Sequence, residues 1–427
     1  MNFENGLDFA RTQDAADPLS SFRARFTIPK RPDGTDLIYL CGNSLGLQPK
    51  AAIALVHEEL EAWGTMAVGA HFAARRPWVS YPDHLAPAAA ALVGANPSEV
   101  VAMNTLTVNL HLMMVSFYRP TAARHKVLIE RPAFPSDRYA VESQIRFHGF
   151  DPTASLIEVG PRHDESTIRM EDLEACIRAE GSTIALLLLP GVNYYNGQVF
   201  DMAELVRLGH AKGCMVGFDL AHAVGNISLR LHDWNTDFAV WCTYKYLNGG
   251  PGSIAGCFVH ERHRDWVDKP RLAGWWGHDK ASRFQMGRDF NPIPGAEGWQ
   301  VSNAPILSMA PVLASLGVFE EAGMRTLTAK SDRLTSYLAY LVREELGASV
   351  EILTPSDSAQ RGCQLSLRVL GTRADQRRVF EALETHGVVC DWREPDVIRA
   401  APVPLYNRFE DVFEFVGVLK RALASNA

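Results

Sequence analysis

In the middle of this chain, Asp219, His222 and Lys245 set a carboxylate, an imidazole and an amine at the ends of two neighbouring apolar runs. The runs, Cys214 to Phe218 and Phe238 to Cys242, are short, bounded by Gly, Asp and Thr, and read as buried strands. In an open α/β sheet such strand ends lie side by side, and ligands bind outside their carboxyl ends. A carboxylate held against a pyridine nitrogen keeps it protonated and the ring electron-withdrawing, while a lysine amine holds an aldehyde covalently. The pair points to pyridoxal phosphate chemistry. Taken alone, an Asp and a Lys flanking two strands fit a surface ion pair equally well. The neighbouring residues favour the chemistry. Tyr244 puts a phenol beside the lysine, and Gly249-Gly250-Pro251-Gly252 is a turn that permits close backbone approach. His222, three residues after Asp219, is near enough in a tight turn to share its hydrogen-bond network.

Elements able to position these groups recur along the chain. Lys126 to Ile129, Ser155 to Val159, Ile184 to Leu189 and Ile254 to Val259 read as further strands, separated by helical or loop-rich segments, so the expected architecture is α/β with a mainly parallel sheet. Asp201 followed by Glu204 opens a crossover helix that stops at Gly213. Beyond residue 315 the pattern changes. Ser331 to Leu346 carries a helical apolar stripe, Gln364 to Leu370 alternates like a strand, and Ala374 to His386 reads as a helix ended by Gly387. These boundaries predict an N-terminal segment, 1-50, packed with a small C-terminal α+β domain, 315-427, and a large domain, 51-314, between them.

Composition narrows the partners. With 427 residues, 47% of them hydrophobic and 21% charged, the chain can bury a large core. A net charge of −7 without a run of like charges argues against nucleic acid. The longest apolar run, Ile184 to Leu189, is too short to span a bilayer, and no basic, apolar leader opens the chain. Seven scattered cysteines, with no C-x-x-C pair, fit a reducing cytoplasm, and no metal-ligand spacing stands out.

Five further motifs follow one another from about residue 40 to the C-terminus: Gly42-Asn43-Ser44-Leu45-Gly46, Phe134-Pro135-Ser136-Asp137, Gly274-Trp275-Trp276-Gly277-His278, Ser302-Asn303, and Ile398 to Asn407. With Asp219, His222 and Lys245, in that order, they resemble the kynureninase family. The resemblance implies the fold type I architecture of pyridoxal phosphate enzymes: a large domain on a mainly parallel seven-stranded-type sheet, a small α+β domain, and a homodimer with shared active sites. It implies hydrolysis of the Cβ–Cγ bond of L-kynurenine or its 3-hydroxy derivative, in tryptophan catabolism, giving anthranilate or 3-hydroxyanthranilate and L-alanine.

Carried over residue by residue, the resemblance makes Lys245 the covalent anchor and base, and Asp219 the partner of the ring nitrogen. His222, Ser136 and Asp137 join the cofactor's polar network, and Phe134 stacks on its ring. Leu106 and Thr107 supply amide and hydroxyl donors to the phosphate, with Thr107 also capping the following helix. Tyr244 donates its hydroxyl to the phosphate, and Trp275 and Asn303 reach in from the partner subunit. Arg399 binds the substrate α-carboxylate, and Ser44 and His71 line the substrate pocket. One residue departs from the pattern. Pro190, just before Gly191, stands where many relatives carry a small hydroxyl residue, and it offers no donor. A cysteine desulfurase or selenocysteine lyase on the same fold, and a non-catalytic cofactor-binding regulator, are the other readings. The first needs a reactive cysteine on a mobile loop, the second an appended basic module, and neither feature is legible in this sequence.

Overall fold

Ile184–Pro190 reads Ile-Ala-Leu-Leu-Leu-Leu-Pro, a pattern that suits a strand covered on both faces. In the computed structural model, which describes residues 3–424, every residue of this strand is buried inside a seven-stranded sheet. Numbered along the chain, β1 is Ile38–Tyr39. The large sheet contains β2 (Val100–Ala102), β3 (Lys126–Glu130), β4 (Leu156–Val159), β5 (Ile184–Pro190), β6 (Met215–Asp219), β7 (Phe238–Trp241) and β8 (Gly256–Val259). Their spatial order is β2-β8-β7-β6-β5-β3-β4. β3 to β7 run parallel, while β8 lies antiparallel to both β7 and β2.

The parallel register aligns the carboxyl ends of the inner strands: Pro190 pairs with Asp219, and Asp219 in turn with Val240. Both faces of the sheet are covered. Helices Leu106–Phe117 and Pro135–Phe147 help bury one face, where Leu110, Met113 and Ile145 meet Val127 and Val240. On the other, Met309, Leu316 and Leu205 join Leu187, Val216 and Phe258 in one continuous core. The crossover between β5 and β6 begins as the sequence suggests: the Asp201 carboxylate accepts from the amide of Glu204 at 3.0 Å and caps helix Met202–Ala211. Some boundaries differ. Ser155 closes a short helix instead of opening β4, and Ile254 and Ala255 are buried but precede β8.

A second sheet forms late in the chain from β9 (Val350–Ile352), β10 (Leu365–Val369), β12 (Asp391–Arg393) and β13 (Val397–Ala400), antiparallel in the order β12-β13-β10-β9. Between them in sequence, β11 (Val388–Val389) pairs in parallel with β1. The helical stripe at Ser331 to Leu346 belongs to a longer helix, Met324–Leu346, whose Leu334, Leu338 and Leu341 share a core with Leu367, Val379 and Val416. Ala10, Ile38 and Leu40 join that core from the N-terminal segment. All seven cysteines are free, and among the described residues no single helix is long and apolar enough to cross a membrane.

Candidate active site

Three strands of the large sheet end on a cleft. Glu130 closes β3, Pro190 closes β5 and Asp219 closes β6, and all three line the same opening, as expected at the carboxyl edge of a parallel sheet. The cleft is open to solvent, and the space in and at its mouth is about 540 Å³. Leu106, Thr107, Phe134, Ser136, Asp137, His222, Tyr244 and Lys245 complete most of its wall. Nine of the residues expected at the cofactor therefore meet in one place, although they are spread over 140 positions of sequence.

Local structure holds each group in place. Lys245 sits in a tight turn after β7, in which the Asn248 amide donates to the Lys245 carbonyl at 2.9 Å and the Gly249 amide to the Thr243 carbonyl at 2.8 Å. Asn248 takes a left-handed backbone there, with φ +51°. A chain segment from far upstream clamps the same turn: the Gly46 amide donates to the Tyr244 carbonyl at 2.8 Å. A Cβ on Gly46 would collide with the Lys245 carbonyl, so only glycine permits this approach. Lys245 Nζ lies 2.9 Å from His222 Nε2 and 5.9 Å from the centre of the Phe134 ring.

Two helices present their N-termini to the same cleft. Thr107 Oγ1 and Ser136 Oγ, in the first turns of Leu106–Phe117 and Pro135–Phe147, lie 2.8 Å apart. Converging helix N-termini that carry a pair of hydroxyls suit a phosphate. Thr107 does not hold the capping position expected of it: Thr105 does, with an extended backbone (φ −117°, ψ 164°) and no side-chain capping bond. Thr107 is already helical, and this frees its hydroxyl for Ser136.

The floor of the cleft is acidic. Burial pushes the Glu130 carboxyl up to about 8, helped by the charges of Asp219 and Glu158. Burial likewise raises Asp137 well above the ordinary carboxylate range, and the neighbouring charges of Asp219 and Glu130 add to it. Asp219 is also raised by burial, but the Ala221 amide, donating at 2.8 Å, and the charge of Lys245 both favour its ionised form. Asp137 is thus the acid of the pair and Asp219 its acceptor. Burial lowers His222 well below its usual value, with the charges of Lys245, Arg399 and Arg393 acting in the same direction, so its ring is neutral. Burial also raises the Tyr244 phenol, which stays a donor.

These groups fit pyridoxal phosphate. Asp137 Oδ1 and His222 Nδ1 are buried polar atoms without a partner at the cleft, a cost that a polar ligand would relieve. An ionised Asp219 suits a protonated ring nitrogen, Lys245 suits an aldehyde, and the Thr107 and Ser136 hydroxyls suit a phosphate.

Five expected residues lie outside the cleft wall. Trp275 is 43% exposed, with its indole N–H donating to the Arg283 carbonyl at 3.1 Å. Asn303 is exposed, and His71 is half-buried against Trp78, 5.2 Å between ring centres. Arg399 is fully buried and tied to Asp391 and, at 2.6 Å, to the Tyr194 carbonyl. Ser44 is half-buried beside Cys41, whose thiol burial pushes up to about 11, with Asp391, Arg399 and Arg393 close by. Sequence reasoning missed Glu130, Val192 and Tyr194 on the wall. Glu130 carries the signal that singled out Asp219, a carboxylate at the end of an apolar run. No cysteine lines the cleft among the described residues.

The comparisons with known proteins agree with one another. Residues 83–276 match the aminotransferase class-V family and residues 327–419 the kynureninase C-terminal domain family. The kynureninase of Koribacter versatilis is 55% identical over 414 residues, 97% of each chain. That of Myxococcus xanthus is 54% identical over 98% of this chain and 97% of its own. That of Xanthomonas oryzae pv. oryzae is 57% identical over 95% of both. Among solved structures, a C-DES variant with glycine covalently linked to the PLP cofactor superposes with a TM-score of 0.77 at 16% identity, covering 93% of this chain and 98% of its own. The cysteine desulfurase CsdA from Escherichia coli gives 0.76 at 16% identity over 95% and 98%. At that identity the two structures show a shared fold only.

Proposed function

The chain belongs to the kynureninase family, and on that premise we propose how its residues perform the reaction. It is a pyridoxal phosphate-dependent hydrolase that cleaves the Cβ–Cγ bond of L-kynurenine or 3-hydroxy-L-kynurenine, releasing L-alanine and the corresponding anthranilate. When bound, the cofactor supplies an electron sink conjugated to the substrate α-carbon. Lys245 Nζ is the group that would hold the cofactor's aldehyde and serve as the base for the substrate α-proton. His222 Nε2, 2.9 Å away and neutral, orients that amine without competing for positive charge. Asp219 would hold the proton of the cofactor's ring nitrogen, with Asp137 donating to Asp219. Phe134 would cover the ring, and the Thr107, Ser136 and Tyr244 hydroxyls, with the Leu106 amide, would hold the phosphate. Arg399 takes the substrate α-carboxylate, with Ser44 and His71 toward its aromatic end.

The proposal extends to assembly. Trp63, Val68, Phe72, Phe284 and Met286 are each more than half exposed, and the Phe72 and Phe284 rings stand 5.9 Å apart. An apolar patch of this kind favours a second copy of the chain, which would bring Trp275 and Asn303 to the neighbouring cleft. Residues 51-314 are then the cofactor unit, 315-427 the small domain and 1-50 the segment packed on it, in a cytoplasmic homodimer.

The observation that carries the reading is the meeting of Lys245, His222 and Asp219 at strand ends in a chain of this family. The test is the absorption spectrum of the purified protein, followed by addition of L-kynurenine with anthranilate and alanine quantified together. A yellow protein that releases both in equal amounts supports the reading, and Lys245→Ala should lose about a thousandfold or more in turnover. Near-normal turnover by that variant would overturn the role of Lys245.

A further inference from the structure

Beside the cofactor cleft, the hairpin of β12 and β13 sets three charged groups in one cluster. Asp391 stands opposite Arg399 in the ladder, and Arg393 opposite Val397. One oxygen, Asp391 Oδ2, accepts from Arg399 Nη2 and, at 3.1 Å, from Arg393 Nη2. Arg399 Nη1 donates to the Tyr194 carbonyl at 2.6 Å. Tyr194 lines the cleft, its ring edge-on to Phe134 at 5.2 Å. The cluster is therefore one residue from the place where substrate must sit.

Two features of this cluster remain unexplained by the fold. Two guanidinium groups share one carboxylate, so one positive charge is left over. Each guanidinium also keeps a buried N–H with no partner, Arg393 Nε and Arg399 Nε. An orphaned buried donor is costly, and two of them beside an unbalanced charge favour an anion with two acceptor oxygens. Both arginines are felt at the cleft: after burial and Lys245, their charges help to lower His222, and they oppose the rise that burial imposes on the Tyr194 phenol.

We propose that Arg393 is the second guanidinium of the substrate α-carboxylate site, acting beside Arg399, with Asp391 as the fixed counter-ion that both share. This rests on the amino-acid substrate assigned above. A substrate carboxylate then completes the charge balance, two cations against two anions, and gives the orphaned N–H groups their acceptors. Arg399, fully buried, fixes one side of the carboxylate, and Arg393, whose side chain is 35% exposed, closes on the other.

The test compares wild type with Arg393→Gln, both loaded with cofactor. Steady-state rates are measured with L-kynurenine, and binding of L-alanine and L-alaninamide is titrated through the cofactor's absorbance. These two ligands differ only in the carboxylate. The expected outcome is a KM about tenfold higher with kcat little changed, and a preference for alanine over its amide that narrows by about tenfold. An unchanged KM and an unchanged preference would overturn the proposal and leave Arg393 as a tie for Asp391. If Arg393→Gln fails to hold the cofactor, Arg393→Lys takes its place, since it keeps the charge and loses the planar fork. A lysine variant with wild-type KM and preference would also overturn it. Failure of the wild type to cleave kynurenine, with its preference for alanine intact, would instead overturn the functional reading.

Discussion

The two sheets bring acidic and basic groups to the region of the cleft by different constructions. The large sheet presents carboxyl groups, Glu130 and Asp219 buried at strand ends and Asp137 half-buried on the helix beside them. The small sheet presents guanidiniums, Arg393 and Arg399, from inside adjacent antiparallel strands. A parallel sheet aligns its strand ends along one edge, so single residues far apart in sequence converge. An antiparallel hairpin places cross-strand partners directly opposite, so its charged groups are sequence neighbours that fix one another. Acid on one side and base on the other match a ligand pair with a protonated ring nitrogen at one end and a carboxylate at the other.

Breaking the acidic side should show in kcat. Asp219→Asn removes the charge proposed to face the ring nitrogen while keeping the shape, and should lower kcat about a hundredfold or more with KM within a few-fold. A variant in which KM alone changes would remove the distinction between the two sides. Disturbing the basic side should show in KM. Arg399→Lys keeps the charge but not the bidentate fork, and should raise KM for L-kynurenine about tenfold while the cofactor's absorbance is unchanged. Loss of cofactor in that variant would show that the arginine serves the acidic side after all.

The smallest expected effect sharpens the contrast through pH. The folded chain keeps a proton on Glu130 up to about pH 8, whereas the unfolded chain loses it in the ordinary carboxylate range. Between those limits the folded state holds more protons, so stability contributed by this group falls as pH rises and is lost above about 8. Glu130→Gln should therefore raise the Tm of the cofactor-free protein by a few degrees at pH 8.5 and by little or nothing at pH 5. An equal shift at both would mean that Glu130 is not held protonated.

Much of the acidic side was legible in the sequence, and little of the basic side was. Asp219 and Lys245 each follow an apolar run, and strand ends are positions that a hydrophobic pattern marks directly. Glu130 had the same mark and was passed over because the run before it was ended at Ile129. Arg399 stood out only through the kynureninase-like Ile398 to Asn407 motif. Its bond to Asp391 depends on a hairpin whose strands, Asp391–Arg393 and Val397–Ala400, are too short to show any period. Tyr194 reaches the wall from an irregular loop, and no local pattern predicts where such a loop turns. The antiparallel direction of β8 was equally hidden, since a four-residue apolar strand carries no sign of its direction.

The segment around Gly42 to Gly46 ties the start of the chain to its end. A Cβ on Gly42 would strike the Tyr406 hydroxyl, β1 pairs with β11, and Gly46 rests on the turn that carries Lys245. During synthesis these early residues leave the ribosome more than 340 positions ahead of the strands they pair with. The lysine turn, made midway, therefore lacks its clamp until the last few dozen residues emerge. Completion of the site is a post-translational event, and truncation near residue 400 should leave a chain whose large sheet is present but whose cofactor turn is loose.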